Sequence, residues 1–210
     1  MKVYCAVAFG LFAALPIASL QADSNRRGTQ AMDLDPSGRG AIGGIGIESR
    51  DIDAMSDQVV RELMARADLV RSAQPPRIVV DSEKILNNSS QRIDRDMIAG
   101  ALRTSLNRAA AGRIRFISRE SMDIIARERA LKDAGQVDSG TRGRTLAVAG
   151  LDFTLIGRLT SLDSRDSRSG LVQRRTQVIF ELVDMETGEI PWSGQPYVVL
   201  RAAGDDVVYR

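Results

Sequence analysis

Apolar residues first fall into a helical rhythm at Ile52, Met55, Val59, Leu63 and Met64, with Val60 and Ala67 widening the stripe. Asp51 and Asp53 lie where the positive end of a helix favours negative charge. A helix is therefore predicted to start between residues 49 and 51 and to stop before Pro75 and Pro76. RIVVDSEKI (77–85) reads as a strand leading to the polar turn NNSS. Asp94 suits the N-cap of a second helix, with Ile93 stapled to Ile98. Met97, Ile98, Ala101, Leu102, Ser105 and Leu106 form its expected buried face, and Gly112 stops it. RIRFIS (113–118) alternates charge and bulk as a strand does, and Ser118 is placed to cap a helix with Met122, Ile125 and Ala126 inward, ending near Gly135. A short helix is expected over residues 140–149.

The period then changes from helix to strand. LDFTLIGRLTSL, VQRRTQVIFELVD and EIPWSGQPYVVL are three successive strands by pattern, with Phe153, Leu155 and Leu159 on one face and Val178, Phe180 and Leu182 on the matching face of the next. The loop DSRDSRSG joins the first two, and Thr187-Gly188-Glu189 makes a tight hairpin turn in which Gly188 supplies a positive φ. Trp192 follows on the last strand, and Pro191, lacking a ladder donor, marks an edge or a bulge. Alternating elements followed by a run of strands predict an α/β fold: a two-layer domain, helices packed on a mixed four- to five-stranded sheet that ends in an antiparallel meander.

The ends of the chain refine that picture. Residues 1–22 read as a signal peptide: Lys2, an apolar run from Ala6 to Leu20 and a small residue at Ala22, too short to cross a bilayer as a helix. Residues 23–48, rich in Gly and polar side chains, are expected to be a flexible linker, and residues 49–210 the globular domain. GRGAIGGIG lacks a preceding strand and a following Gly-Lys-Ser/Thr, so it is not a phosphate loop.

Loss of the signal peptide would remove Cys5, the one cysteine, from a chain that has no histidine. Thiol nucleophiles, histidine bases and Cys/His metal sites are then excluded. The formal charge of +2 drops to +1 with Lys2 gone, which gives no bulk attraction to nucleic acid. The acids lie in turns and on helix surfaces with no paired arrangement for glycoside hydrolysis and no calcium-loop spacing. There is no Gly-x-Ser-x-Gly elbow. The reading is a non-enzyme with no cofactor, no metal and no small-molecule substrate. Candidate partner-binding residues are Arg158, Arg174, Arg175, Gln177 and Glu181, assigned to the meander face opposite its aromatic core together with Ile156, Ile179 and Val183. Arginine among aliphatic residues has the composition of a protein interface.

GIGIESRDI (44–52), NNSSQRID (87–94), VDSGTRGRTLAVAGLDFTLIGRL (137–159) and LVDMETGEIPWSG (182–194) resemble, in order and spacing, the LpoB-type activators of penicillin-binding proteins. The passage to Gly157 and the Thr-Gly-Glu turn before Trp192 are also similar to CsgG and TolB amino-terminal domains, whose alternative implication is a secretion or envelope-assembly component. The resemblance implies a small periplasmic α/β domain on a tether, docking on the regulatory domain of a class A penicillin-binding protein. It would raise peptidoglycan synthesis without catalytic residues of its own. Family members carry a lipidated cysteine just after the signal peptide. Cys5 precedes the apolar run, so the implied outer-membrane anchor has no counterpart in this sequence.

Overall fold

The computed structural model describes residue 35 and residues 44–70, 74–141 and 147–204. The expected signal peptide and most of the expected linker lie outside these. The residues from 44 onward belong to one compact unit, Leu34–Arg210. Its elements are α1 (Ser49–Ala65), α2 (Ala67–Val70), β1 (Arg77–Asn88), α3 (Arg95–Ala110), β2 (Arg115–Ile117), α4 (Met122–Asp133), β3 (Phe153–Arg165), β4 (Leu171–Asp184), β5 (Trp192–Ser193) and β6 (Tyr197–Gly204). No described helix is long and apolar enough to cross a membrane.

The sheet runs β2-β1-β3-β4-β5, with β6 also paired to β4. β1 is parallel to β2 and β3, and the β3-β4 and β4-β5/β6 pairs are antiparallel. This is the expected mixed sheet ending in a meander. The final strand is interrupted over residues 194–196, so β5 and β6 are two pieces of one edge. α1 and α3 cover one face of the sheet. Ile52, Met55, Val59 and Leu63 of α1 and Ile98, Leu102 and Leu106 of α3 share a core with Ile78, Val80, Leu155, Leu159, Val178, Phe180, Leu182 and Trp192. The packed body reaches back before α1, since Ile45 and Ile47 are buried.

Local signals account for most boundaries. Asp51 Oδ2 accepts from the Glu48 N–H at 2.7 Å at the start of α1, and Asp94 caps α3 by accepting from the Asp96 and Met97 N–H groups. The turn 184–189 closes with Gly188 at φ 74°. Asp184 Oδ1 accepts there from the amides of Glu186 and Thr187 at 2.8 and 2.9 Å, and the amides of Thr187 and then Glu186 hold its carboxyl below the usual range.

Several expectations are corrected. β1 extends to Asn88, but its ladder with β3 steps from Val80↔Leu155 to Ile85↔Gly157, so residues 81–84 bulge outside it. In α3 the buried stripe runs through Ile98, Ala99, Leu102, Leu106 and Ala110. Met97 is exposed, because the stripe follows i, i+4 spacing from Ile98. α4 starts at Met122, with Ser121 rather than Ser118 in the N-cap position, and buries nothing. Met122 and Ile125 are half-buried and Ala126 is exposed, because the next residue in that row is Arg129 and the apolar stripe ends after one turn. Of the helix expected over 140–149, residues 142–146 lie outside the described ones, and 147–149 are not helical.

Gly157 is fixed by close approach: a Cβ there would lie 2.8 Å from Phe180 Cε1 and 3.4 Å from Ile85 Cγ1. Gly157→Ala is expected to destabilise the fold by about 1–3 kcal/mol. Gly100→Ala, whose Cβ meets nothing within 4 Å inside α3, is expected to stabilise it by about 0.5–1 kcal/mol. Thermal unfolding followed by circular dichroism checks both signs.

Candidate partner-binding face

The sheet pleat sorts every strand residue onto one of two faces. Residues in register share a face, so the cross-strand pairs define the rows on each. On the face away from α1 and α3 the rows are Ile156–Glu181–Ser193, Leu86–Arg158–Ile179, Thr160–Gln177–Val198 and Leu162–Arg175–Leu200. The middle of the rows is tied locally, with the Arg175 guanidinium donating to Gln177 Oε1 at 2.9 Å and Ser193 Oγ donating to Glu181 Oε1 at 3.2 Å. Arg158 and Arg175 are exposed, and Ile156, Gln177, Ile179, Glu181 and Val183 are half-buried. At the far end Val79 and Thr154 of the same face are buried.

Four of the five sequence candidates, Arg158, Arg175, Gln177 and Glu181, therefore stand together on this open face. Arg174 does not. It is the immediate neighbour of Arg175, so the pleat turns it to the covered face, where it is 4% exposed. Its Nε and Nη2 donate to the two oxygens of Asp163 at 2.8 and 2.7 Å, a forked geometry. Ser90 Oγ adds a third bond to Asp163 at 2.9 Å. The Arg174 hydrogen bond, with Ser90's in support, holds the Asp163 carboxyl below the usual range.

Arg201, paired in register with Arg174, continues this charged row. Its guanidinium donates to Asp51 Oδ1 at 3.0 Å and to the Gly46 carbonyl, and lies 3.7 Å from Glu48. Tyr197 completes the corner by donating to Asp51 at 3.4 Å. Burial first, and then the Asp51 charge, raise the Tyr197 phenol above its ordinary value and keep it a donor. Gln91 bonds both the N–H and the carbonyl of Ile47. These groups fasten residues 46–48 to the domain.

Sequence reasoning missed the exposed leucines and valine of the open face. Leu162 is 69% and Leu200 60% exposed, flanking Arg175 in one row, and Leu86 and Val198 flank the neighbouring rows. The signal was available, since Leu162 has the same parity along its strand as Ile156 and Arg158. The open face also carries Arg77 and Arg115, paired in register on β1 and β2. At its ladder-paired positions the face thus presents four arginines and the acid Glu181, and Asp152 lies beside Arg77 and Arg115. Among the described residues no group of three or more His, Cys, Asp or Glu side chains could hold a metal ion.

The family model for the peptidoglycan-synthase activator LpoB matches residues 51–198. The chain belongs to the LpoB family. Among solved structures, the LpoB C-terminal domain from Escherichia coli is similar at 16% identity and a TM-score of 0.42, over 74% of this chain and 99% of that one. Lipoprotein GNA1162 from Neisseria meningitidis is similar at 18% identity and a TM-score of 0.29, over 63% of this chain and 85% of that one. No curated protein matches. LpoB is described as an activator, which places this chain with regulators of peptidoglycan synthesis.

The Asp163–Arg174 pair has a definite pH signature. Because Asp163 is depressed in the folded state, its contribution is present above the unfolded carboxylate pKa of about 3.9 and is lost as pH falls through the lower folded value. Asp163→Asn is expected to melt below the wild type at pH 7, with the difference shrinking as pH falls from about 3.9 to the acid side of the lower folded value. Melting temperatures of both proteins between these limits test this.

Proposed function

We propose that this protein is a non-enzymatic periplasmic activator of a class A penicillin-binding protein, docking on the synthase's regulatory domain through the open sheet face. The family match supports the role of activator. The observation that carries the docking site is the set of rows in which Arg158 and Arg175 stand among exposed Leu86, Leu162 and Leu200. Arginine offers several donors and an apolar stem, and leucines around it exclude water from the contact.

Activation by this route is differential binding. The domain stabilises the active synthase conformation to the extent that it binds that conformation more tightly than the inactive one. No covalent step falls to the activator, in keeping with a chain that has no histidine and whose only cysteine is Cys5. In this reading residues 1–22 direct export, residues preceding the packed segment at Gly44 act as the tether, and the domain works in the periplasm without a lipid at Cys5.

Immobilised domain is expected to retain a class A synthase from solubilised envelopes and, at saturation, to raise its rate of lipid II polymerisation. Arg158→Glu should weaken that binding at least tenfold, as loss of an interface arginine commonly does, with the melting temperature unchanged. Failure to retain any such synthase, or an unchanged polymerisation rate at saturation, contradicts the proposal.

A further inference from the structure

The two pieces of the last strand are finished differently along their outer side. Around β5 that edge is closed by α1: Glu62 accepts from the Gln195 N–H at 3.0 Å, Gln58 donates to the Gln195 carbonyl at 2.8 Å, and Arg66 donates to the Pro191 carbonyl at 2.7 Å. Along β6, among the described residues, no hydrogen bond reaches the outer backbone groups of residues 198–204. Sheet edges are ordinarily protected by a charge, a proline or a bulge. YVVLRAAG has no proline, its pairing with β4 is unbroken over eight residues, and its one charged side chain, Arg201, is turned to the covered face and held by Asp51. Among the described residues, an unprotected edge thus adjoins the open face, sharing Val198 and Leu200 with it.

We propose that β6 is a strand-addition site, at which an extended segment of the partner synthase pairs with the outer edge of residues 198–204 while its side chains lie beside Val198 and Leu200. The segment this edge fits is apolar or β-branched at the positions next to these two residues and carries a carboxylate within reach of Arg175. Main-chain pairing supplies affinity, and alternate side chains supply selectivity. Two observations favour such a partner over a second copy of this chain. Eight residues of strand fall well short of the roughly 20–30 residues a side of a standard interface, whereas the edge and the open face together approach it. Pairing β6 with itself would also bring the Arg175 side chains of two open faces towards one another, each in register with Leu200 at the edge, whereas an acidic segment complements them.

This inference rests on the proposed docking function, and hydrogen exchange separates the two. With a saturating regulatory domain from a class A synthase, alternate amides within residues 198–204 are expected to exchange at least tenfold more slowly than in the free protein, while those of α4 do not change. Binding that is weakened by Arg158→Glu but leaves exchange over 198–204 unchanged overturns strand addition and leaves face docking intact. No binding at all removes both. The same protection in the protein alone, accompanied by a dimer in sedimentation, would assign the edge to a second copy and overturn the proposal.

Discussion

A strand with partners along both sides cannot shift by one residue without turning every side chain to the wrong face. β4 is under that constraint over most of its length, paired with β3 over residues 172–184 on one side and with β6 over 171–178 and β5 over 181–182 on the other. Val172, Arg174, Thr176, Val178, Phe180 and Leu182 must be compatible with the covered layer, while Gln173, Arg175, Gln177, Ile179 and Glu181 are left to the other side. Three features pin the alternation. Phe180 lies over Gly157, where any larger residue would collide with its ring. Gly170 and Gly188 take positive φ in the turns at either end of the strand. Arg174 meets Asp163 directly across the ladder.

The covered face is thus apolar at its centre and ionic at one end. The row from Ser90 through Asp163, Arg174 and Arg201 to Asp51 and Glu48 joins segments as far apart as Gly46 and Arg201 in the sequence. Buried charges are costly unless fully paired. Here the forked Arg174–Asp163 contact, and the sharing of Arg201 among Asp51, Glu48 and the Gly46 carbonyl, supply the pairing. An ionic row also specifies position more sharply than apolar packing does. A slipped register would leave these charges buried without partners, so the row reinforces the alignment of the last strands.

Much of the fold is legible in the sequence because it depends on local physics. The Asp94 cap, the Thr-Gly-Glu turn, the switch from helical to alternating period and the inward Phe153, Leu155, Val178 and Phe180 are all set by residues within a few positions of one another. Trp192 is likewise found in the core beside Leu182. What escaped depends on distant partners. Nothing near Arg174 announces that Asp163 waits opposite, although adjacency to Arg175 was enough to exclude a shared face. The break between β5 and β6 follows from α1 side chains binding Gln195 and from Gly194, where a Cβ would lie 2.9 Å from the Trp192 ring. α4 has helix-forming composition and a good stop at Gly135, but these do not say what a helix packs against.

In the function proposed for it, the molecule divides its work between the faces of one sheet: the covered face determines that it folds, and the open face is the one a partner touches. Adjacent arginines on β4 test this division directly, through the melting temperature and the affinity for a class A synthase regulatory domain measured on Arg174→Met and Arg175→Met. The account predicts that Arg174→Met lowers the melting temperature by several degrees and leaves affinity intact, while Arg175→Met leaves melting unchanged and weakens binding. Two variants that shift the same quantity, or an Arg175→Met protein that binds like the wild type, would contradict it.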